Sequence, residues 1–563
     1  MRRPVSVLLA AMLLLDGVGG VAAAPLALSA APLPMSAAPL PLSAAPLPMS
    51  AAPTSVTVPA VPAAVTVKVA TFNILYGGDE ISLNSPGGHW CMNPAGCAAS
   101  IAQVVAAIRA SDADTVGIQE GTGNACRIAD ALDWQCSPRL QVISRFPLID
   151  PPGADGLYVY NEVAPGRIMA VANVHLTSDP YGPYFPREGW TLEEILALER
   201  ELRLPEVQRH RDVLPGLAAA GIPVVLTGDF NSPSHLDWTE AVSEVRPVEV
   251  PYPIDWPVAR ALADAGFRDA YRDAHPDPVV DPGFTWTPGY PRERKGVEVH
   301  DRIDWVLHTG PVTTIAAELV GEGAYPGTDI AVDPWPSDHR SMVATLQVQA
   351  AVPPSFAAVV SRRAFIGEPL QVAFNGSGAT DERIVIVPTG APLAAAVATT
   401  ATAGATHGIR TISTTGWAAG TYDAVLVEGT TMVGGRSTFH LYPPGTPPSV
   451  RTDKTTYREG EPIRVDWAAG PGWKWDWLGV TRRGAGNVNV QATCTGGYCG
   501  DADYLVWRYV DAATEGSAVF DATTARQGVT TWPLKRGWYR VVFYFDDGYQ
   551  LLALSAPFRV IAP

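Results

Sequence analysis

The chain has 563 residues, 17% of them charged and 47% hydrophobic, with a formal net charge of −16. That length exceeds one ordinary domain and predicts about three to four. The acidic balance, with a sequence pI near 5.1, excludes an extended basic surface for gripping nucleic acid, although a local groove or a metal ion would still handle a phosphate.

Met1-Arg-Arg3, the apolar run Val5 to Leu15 and the small-residue stretch Val21-Ala-Ala-Ala24 have the three regions of a signal peptide. Residues 1–24 are therefore expected to be removed on export, leaving a secreted, extracellular protein. The run is shorter than the about 20 apolar residues that a membrane span needs, and no later stretch is long and apolar enough, so no transmembrane segment is expected. Residues 25–63 carry a repeated unit, PLALSAA, PLPMSAA, PLPLSAA, PLPMSAA. Its prolines remove helical donors, which predicts an extended tether. Six cysteines suit an oxidising compartment. Cys494 and Cys499 are expected to pair locally, which leaves Cys91, Cys97, Cys126 and Cys136 with three connectivities; none of these spacings is the CxxC of a zinc site.

From residue 64 to 350, short apolar runs end again and again in an acid, an amide or a histidine. They are Val67 to Asn73 (VKVATFN), Thr115 to Glu120 (TVGIQE), Ile168 to His175 (IMAVANVH), Pro223 to Asn231 (ending TGDFN), Arg302-Ile-Asp304 before Trp305-Val-Leu307, and Ser337-Asp-His339 before Met342 to Leu346. Each has the form of a buried strand delivering polar groups to a sheet edge. Ile101, Val104, Val105 and Ile108 fall at helical spacing and predict an amphipathic helix packed on the sheet. Leu176 to Pro186 (LTSDPYGPYFP) is rich in turn formers and aromatics, and Thr191 to Leu214 reads as a helix interrupted at Pro205.

Taken in order, N…QE…NVH…GDFN…RID…SDH resembles the endonuclease/exonuclease/phosphatase superfamily, and Val142-Ile-Ser-Arg-Phe-Pro-Leu148 is similar to that family's ISRFPL strand. The resemblance implies a four-layered α/β sandwich with the site at one edge, and a metal-dependent phosphoric ester hydrolase, foremost a phosphodiesterase. Hydrolysing a phosphodiester requires a cation to offset the anion's charge and a base for the attacking water. Glu120 is the expected metal ligand, with Asn73 adding a neutral oxygen and Asp338 reaching the ion directly or through water; such oxygen donors favour Mg2+, Mn2+ or Ca2+. His339 has the pKa range of a general base. The resemblance implies Asp304 as its partner, and Asp301 stands close enough in HDRID to take that role instead. Asp229 and Asn231 would orient water and phosphate, and His175 would donate to a phosphoryl oxygen. Tyr181, Tyr184 and Phe185 would either stack on substrate or tuck into the domain. Nucleic acid, phospholipid and small phosphoesters are all substrates in keeping with the pattern. The only short basic run is Arg292, Arg294 and Lys295. Nothing acidic follows closely after Asn73, where abasic-site endonucleases carry an aspartate, and this speaks against lesion repair.

Two further domains are expected at 351–445 and 446–563. Gly367-Glu-Pro-Leu-Gln-Val-Ala-Phe374 recurs as Gly460-Glu-Pro-Ile-Arg-Val-Asp-Trp467, and Gly420-Thr-Tyr422 as Gly537-Trp-Tyr539, with Tyr442 to Pro448 as linker. Alternating strands with frequent turns predict a tandem pair of Ig-like β-sandwiches. Trp473, Trp475 and Trp477 alternate, so on a strand they share one face; exposed, that face would bind glycan or cell-envelope polymer. The rival function is accordingly a surface-binding protein with an inactive first domain. A monomer is expected.

Overall fold

The computed structural model describes residues 64–78, 94–286 (side chains from 98), 299–486, 488–490, 502–527 and 530–563. The leader, the proline repeat, the basic run at Arg292, Arg294 and Lys295, the cysteine side chains at 91, 97, 494 and 499, and His89 lie outside these. Among the described residues no helix is long and apolar enough to cross a membrane.

The strands of the first domain are β1 Val65–Asn73, β2 Thr115–Gln119, β3 Gln135–Ser137, β4 Val142–Ser144, β5 Leu148–Ile149, β6 Val159–Ala164, β7 Arg167–His175, β8 Val224–Asp229, β9 Arg268–Asp269, β10 Asp304–Thr309, β11 Val312–Gly321, β12 Ile330–Ala331 and β13 Ser341–Val348. They form a seven-stranded sheet, β12-β11-β13-β1-β2-β4-β3, and a six-stranded sheet, β5-β6-β7-β8-β10-β9. Period-two alternation divides each strand between two cores. In β1, Val67 and Val69 face β7 and β8 residues Met169, Val171 and Val225 in a cluster shared by both sheets. Ala70 and Phe72 point the other way, onto Ile101, Val104, Val105 and Ile108 of helix Pro94–Ser111. The second sheet likewise turns Ala170, Ala172, Val174, Val224 and Leu226 outward onto Leu214, Val258 and Leu262 of flanking helices. Each such valine, leucine, isoleucine or phenylalanine side chain, fully buried, contributes about 1.5–3 kcal/mol.

One expectation needs correction here. The ISRFPL stretch is two strands in different sheets, because Pro147 has no N–H for a ladder and the chain crosses from one sheet to the other there. The helix after the turn-rich segment is interrupted at Pro205 as expected, running as Leu192–Leu202, a 3-10 turn Leu204–Val207 and Gln208–Ala219, which carries on past Leu214. Its start is fixed by a capping box, Thr191 with Glu194.

The chain beyond Phe356 is β-sheet-rich, and its internal repeat is visible in the strand pairing. Pro369–Asn375 is the middle strand of one three-stranded sheet and Ile463–Ala468 the middle of another. Gly420–Glu428 and Gly537–Phe545 lie inside the five- and seven-stranded sheets that face them. Val372, Phe374, Ile384 and Phe439 fill the first interior, and Val465, Trp467, Leu478 and Val541 the second.

The proposed tryptophan ladder is not an exposed face. Residues 473–476 form a turn, so the strand period does not apply, and Trp475 and Trp477 are 3% and 4% exposed. Trp473 packs edge-on against Phe545, with ring centroids 4.8 Å apart.

Candidate active site

Strand register brings the polar strand ends together. Parallel pairing sets His175 beside Asp229, and antiparallel pairing sets Asp304 beside Asp229, so β7, β8 and β10 present three site residues in one row. In the facing sheet Asn73 pairs with Gln119, and Glu120 follows. The two rows meet because the sheets nearly touch at this end: a Cβ on Gly117 would lie 2.0 Å from Thr227 Oγ1. Gln119 Nε2 donates to Asn173 Oδ1 at 2.6 Å, and Asn173 Nδ2 donates to Ile118 O at 2.9 Å, locking one sheet to the other through buried amides. In the sequence the signal for Gln119 and Asn173 is only their place inside the QE and NVH runs.

Asp229 is the hub. Its Oδ2 accepts from Asn73 Nδ2 at 2.9 Å and lies 3.7 Å from Nε2 of both His175 and His339. Its Oδ1 accepts from Asn231 N at 2.9 Å. Asn73 Nδ2 also donates to Glu120 Oε1 at 3.0 Å, while Tyr76 N donates to Oε2 at 3.2 Å. Asn73 therefore corrects its expected role: it meets the acids with its nitrogen and keeps Oδ1 for Leu75 N, at 3.0 Å. Glu120 and Asn231 both have positive φ, 54° and 47°, a region that residues adopt where the surroundings over-determine them. Asn231 Nδ2 is spent on Leu176 O at 3.0 Å, which steadies the loop.

His339 Nδ1–H donates to Asp304 Oδ2 at 2.9 Å. Asp301 is not its partner: it accepts from Tyr181 OH and Trp238 Nε1, each at 2.9 Å. Tyr181 is only 6% exposed, so its ring and hydroxyl are both committed to packing, and Tyr184 sits edge-on against it. Phe185 stacks on Trp190. Of the two readings of this segment, tucking into the domain is the one observed, since a buried hydroxyl needs the partner Asp301 supplies. Ser337 Oγ donates to Asn73 O at 2.7 Å and accepts from His339 N at 3.1 Å, which clips the SDH turn to the end of β1. Arg302 of RID is buried between Asp237 and Asp269 and is structural.

Charge in this site is crowded. Burial alone would lower the pKa of His339, yet the carboxylates of Asp304 and Asp229, with Asp338 nearby, hold it well above the usual imidazole range. His175 is likewise pulled down by burial but lifted to about 9 by Asp547, Asp229 and Glu120. Burial and the neighbouring Asp304 raise Asp229, against the pull of the two histidines. His175 Nδ1 bonds Asp547 Oδ2 at 3.0 Å. Asp547 belongs to the last β-repeat, and no sequence signal connected it to the site.

The donor set suits a cation. Atoms of Asp229, Asp304 and His339 lie within 4.8 Å of one another, and Glu120 is bridged to them by Asn73. Asp304 Oδ1 and His175 Nε2 are buried without a hydrogen-bond partner. Carboxylate oxygens in such density match a hard divalent ion.

Residues 70–339 match the Endonuclease/Exonuclease/phosphatase family. An uncharacterized protein of Caenorhabditis elegans (F14F9.5) is 31% identical over 193 residues, 32% of this chain, and the chain spans 60% of that relative's length. Among solved structures, an endonuclease/exonuclease/phosphatase from Beutenbergia cavernae is 18% identical with a TM-score of 0.31, covering 67% of this chain and all (100%) of that one. A mannosyl-6-phosphatase of Bacteroides thetaiotaomicron is 13% identical with a TM-score of 0.30, covering 50% and 99%. The motifs, the meeting of their side chains at Asp229 and the family match over the same residues agree: the first domain of this chain, over residues 70–339, belongs to the Endonuclease/Exonuclease/phosphatase family.

Proposed function

We propose that the first domain, a four-layered α/β sandwich, is a divalent-metal-dependent phosphodiesterase, exported behind the leader at residues 1–24. The observation that supports this most is the convergence on Asp229, which touches Asn73 and stands 3.7 Å from both histidines. Glu120 would hold the cation, with Asp229 and Asp338 adding negative charge beside it. Bound there, Mg2+, Mn2+ or Ca2+ would neutralise phosphate charge and offset the pull of the carboxylates on His339, bringing its pKa down toward neutrality.

The chain's own residues do the rest. Nε2 of His339 takes the proton of the attacking water, while Asp304 holds Nδ1–H and stabilises the imidazolium. His175 Nε2 faces the same space and donates to a phosphoryl oxygen. Asp229, fixed by Asn73 and Asn231 N, orients the water between the two rings.

Full-length protein should hydrolyse bis(p-nitrophenyl) phosphate, lose that activity with chelator and regain it with added metal. His339→Ala should lower kcat by a factor on the order of 10²–10⁴; hydrolysis unchanged by His339→Ala would overturn the proposal. A panel of DNA, RNA, sphingomyelin, phosphoinositides and phosphomonoesters, run with and without chelator, then assigns the substrate class.

A further inference from the structure

The last β-repeat reaches the site through one turn. Strands Gly537–Phe545 and Gln550–Leu554 are joined by Asp546-Asp-Gly-Tyr549, in which Gly548 N donates to Phe545 O at 3.0 Å. Asp546 and Asp547 have successive positive φ values of 42° and 57°, the pairing that two-residue hairpin turns of type I′ require and that Asp and Asn tolerate.

Several contacts seat this turn on the first domain. Asp546 Oδ2 accepts from Gly123 N at 2.7 Å, just past Glu120. Gly123 also lies under Phe545, where a Cβ would come within 2.5 Å of the ring. Around it, Lys474 Nζ donates to Gly156 O at 2.8 Å, Arg139 Nη1 to Ala512 O at 2.6 Å, and Arg526 Nη1 to Thr177 Oγ1 at 2.6 Å; Arg526 also pairs with Glu206.

Within that seat Asp547 is held at both oxygens. Oδ1 accepts from Tyr509 OH at 2.6 Å, Oδ2 from His175 Nδ1 at 3.0 Å, and its own N donates to Trp475 O at 2.9 Å. Trp475 meets the His175 ring edge-on, with centroids 5.9 Å apart. The first domain supplies Asp304 to orient His339; the orienting acid of His175 comes instead from a residue 372 positions away in the chain.

We propose that Asp547 is a positioning residue of the active site: it accepts from Nδ1–H of a His175 ring protonated at both nitrogens and fixes that ring so that Nε2–H faces the phosphate between Glu120 and Asp229, and the C-terminal repeat is thereby part of the catalytic apparatus. This rests on the phosphodiesterase reading. A ring freed of Asp547 would turn and present Nε2–H to the phosphate less often.

The test uses full-length protein in two independent measurements. In steady-state hydrolysis of bis(p-nitrophenyl) phosphate, Asp547→Asn and Asp547→Ala should lower kcat by about 10- to 100-fold with KM and Tm little changed, and Asp547→Glu should recover part of the loss. In NMR spectra of protein labelled with 15N in its histidine rings, the His175 Nδ1 proton, assigned by its absence in His175→Gln, should be visible in the wild type and lost in Asp547→Ala. Tyr509→Phe, which leaves the carboxylate but frees one oxygen, should shift that signal and lower kcat less. Wild-type kcat in Asp547→Ala, or a His175 signal indifferent to it, overturns the proposal. If wild-type protein proves inactive on every phosphoester, the phosphodiesterase reading fails, and the NMR measurement still judges whether Asp547 holds His175.

Discussion

Asp304 and Asp301 stand three residues apart in HDRID, and side-chain direction separates their roles. Asp304 opens β10 and faces His339, while Asp301 is sealed between Tyr181 and Trp238. Burial raises the Asp301 carboxyl to about 6, with Arg246 and its two donors pulling the other way. The two variants should therefore part company. Asp304→Asn should lower kcat by a factor on the order of 10²–10⁴, since the imidazolium of His339 loses its counter-charge. Asp301→Asn should change stability more than kcat, because it breaks a buried pair of hydrogen bonds remote from the reacting atoms. Equal losses of kcat in steady-state assays would contradict the assignment of Asp304. Which aspartate of HDRID faced the histidine was open in the sequence, because spacing along a chain entering a strand does not tell which side chain meets a residue 35 positions on.

At the scale of elements, the site depends on two sheets approaching at one end, and Gly117 is where this is tightest. Neighbouring Ile118 and Gln119 make β2 an ordinary buried strand, so a glycine there is explained by Thr227 and Asn173 pressing from the facing sheet. Gly117→Ala should cost about 1–3 kcal/mol, read as a lower urea midpoint at unchanged m. It should also reduce kcat, since Glu120 follows Gln119 and both ride on that strand. Stability equal to wild type would show that the sheets have slack there. The alternating apolar strands and the Ile101 to Ile108 spacing were legible in the sequence, as was the internal repeat of the β-rich region. The break of ISRFPL into two sheets and the turn at Trp473 to Asp476 were not, because periodicity reports a local pattern and each of these is decided by which surface the chain meets next.

At the scale of the whole molecule, the last β-repeat is bolted to the first domain by a segment full of buried acids. Asp476 Oδ2 accepts from Gly472 N and Trp473 N, each at 3.0 Å, and Oδ1 from Asp546 N at 3.1 Å. Burial nevertheless lifts the Asp476 carboxyl to about 7, and Asp546, buried beside it, stands well above the usual carboxylate range. Folded protein thus keeps protons that unfolded chain releases near pH 4, so these groups should make stability fall as pH rises from about 4 to 7, by up to about 1.4 kcal/mol per pH unit for each group. Asp476→Asn should flatten that slope in denaturation midpoints measured across the window; a slope identical to wild type would contradict it. The sequence by itself determined the strands, the family resemblance and the identity of the polar groups at strand ends, because hydrophobic alternation and motif order are properties of short stretches. Only the tertiary structure decided that Asn73 bridges acids, that Trp475 is buried and that Asp547 completes the surroundings of His175. Those outcomes follow from surfaces hundreds of residues apart meeting, where packing and the need of every buried charge for a partner select among arrangements that the linear chain leaves equally open.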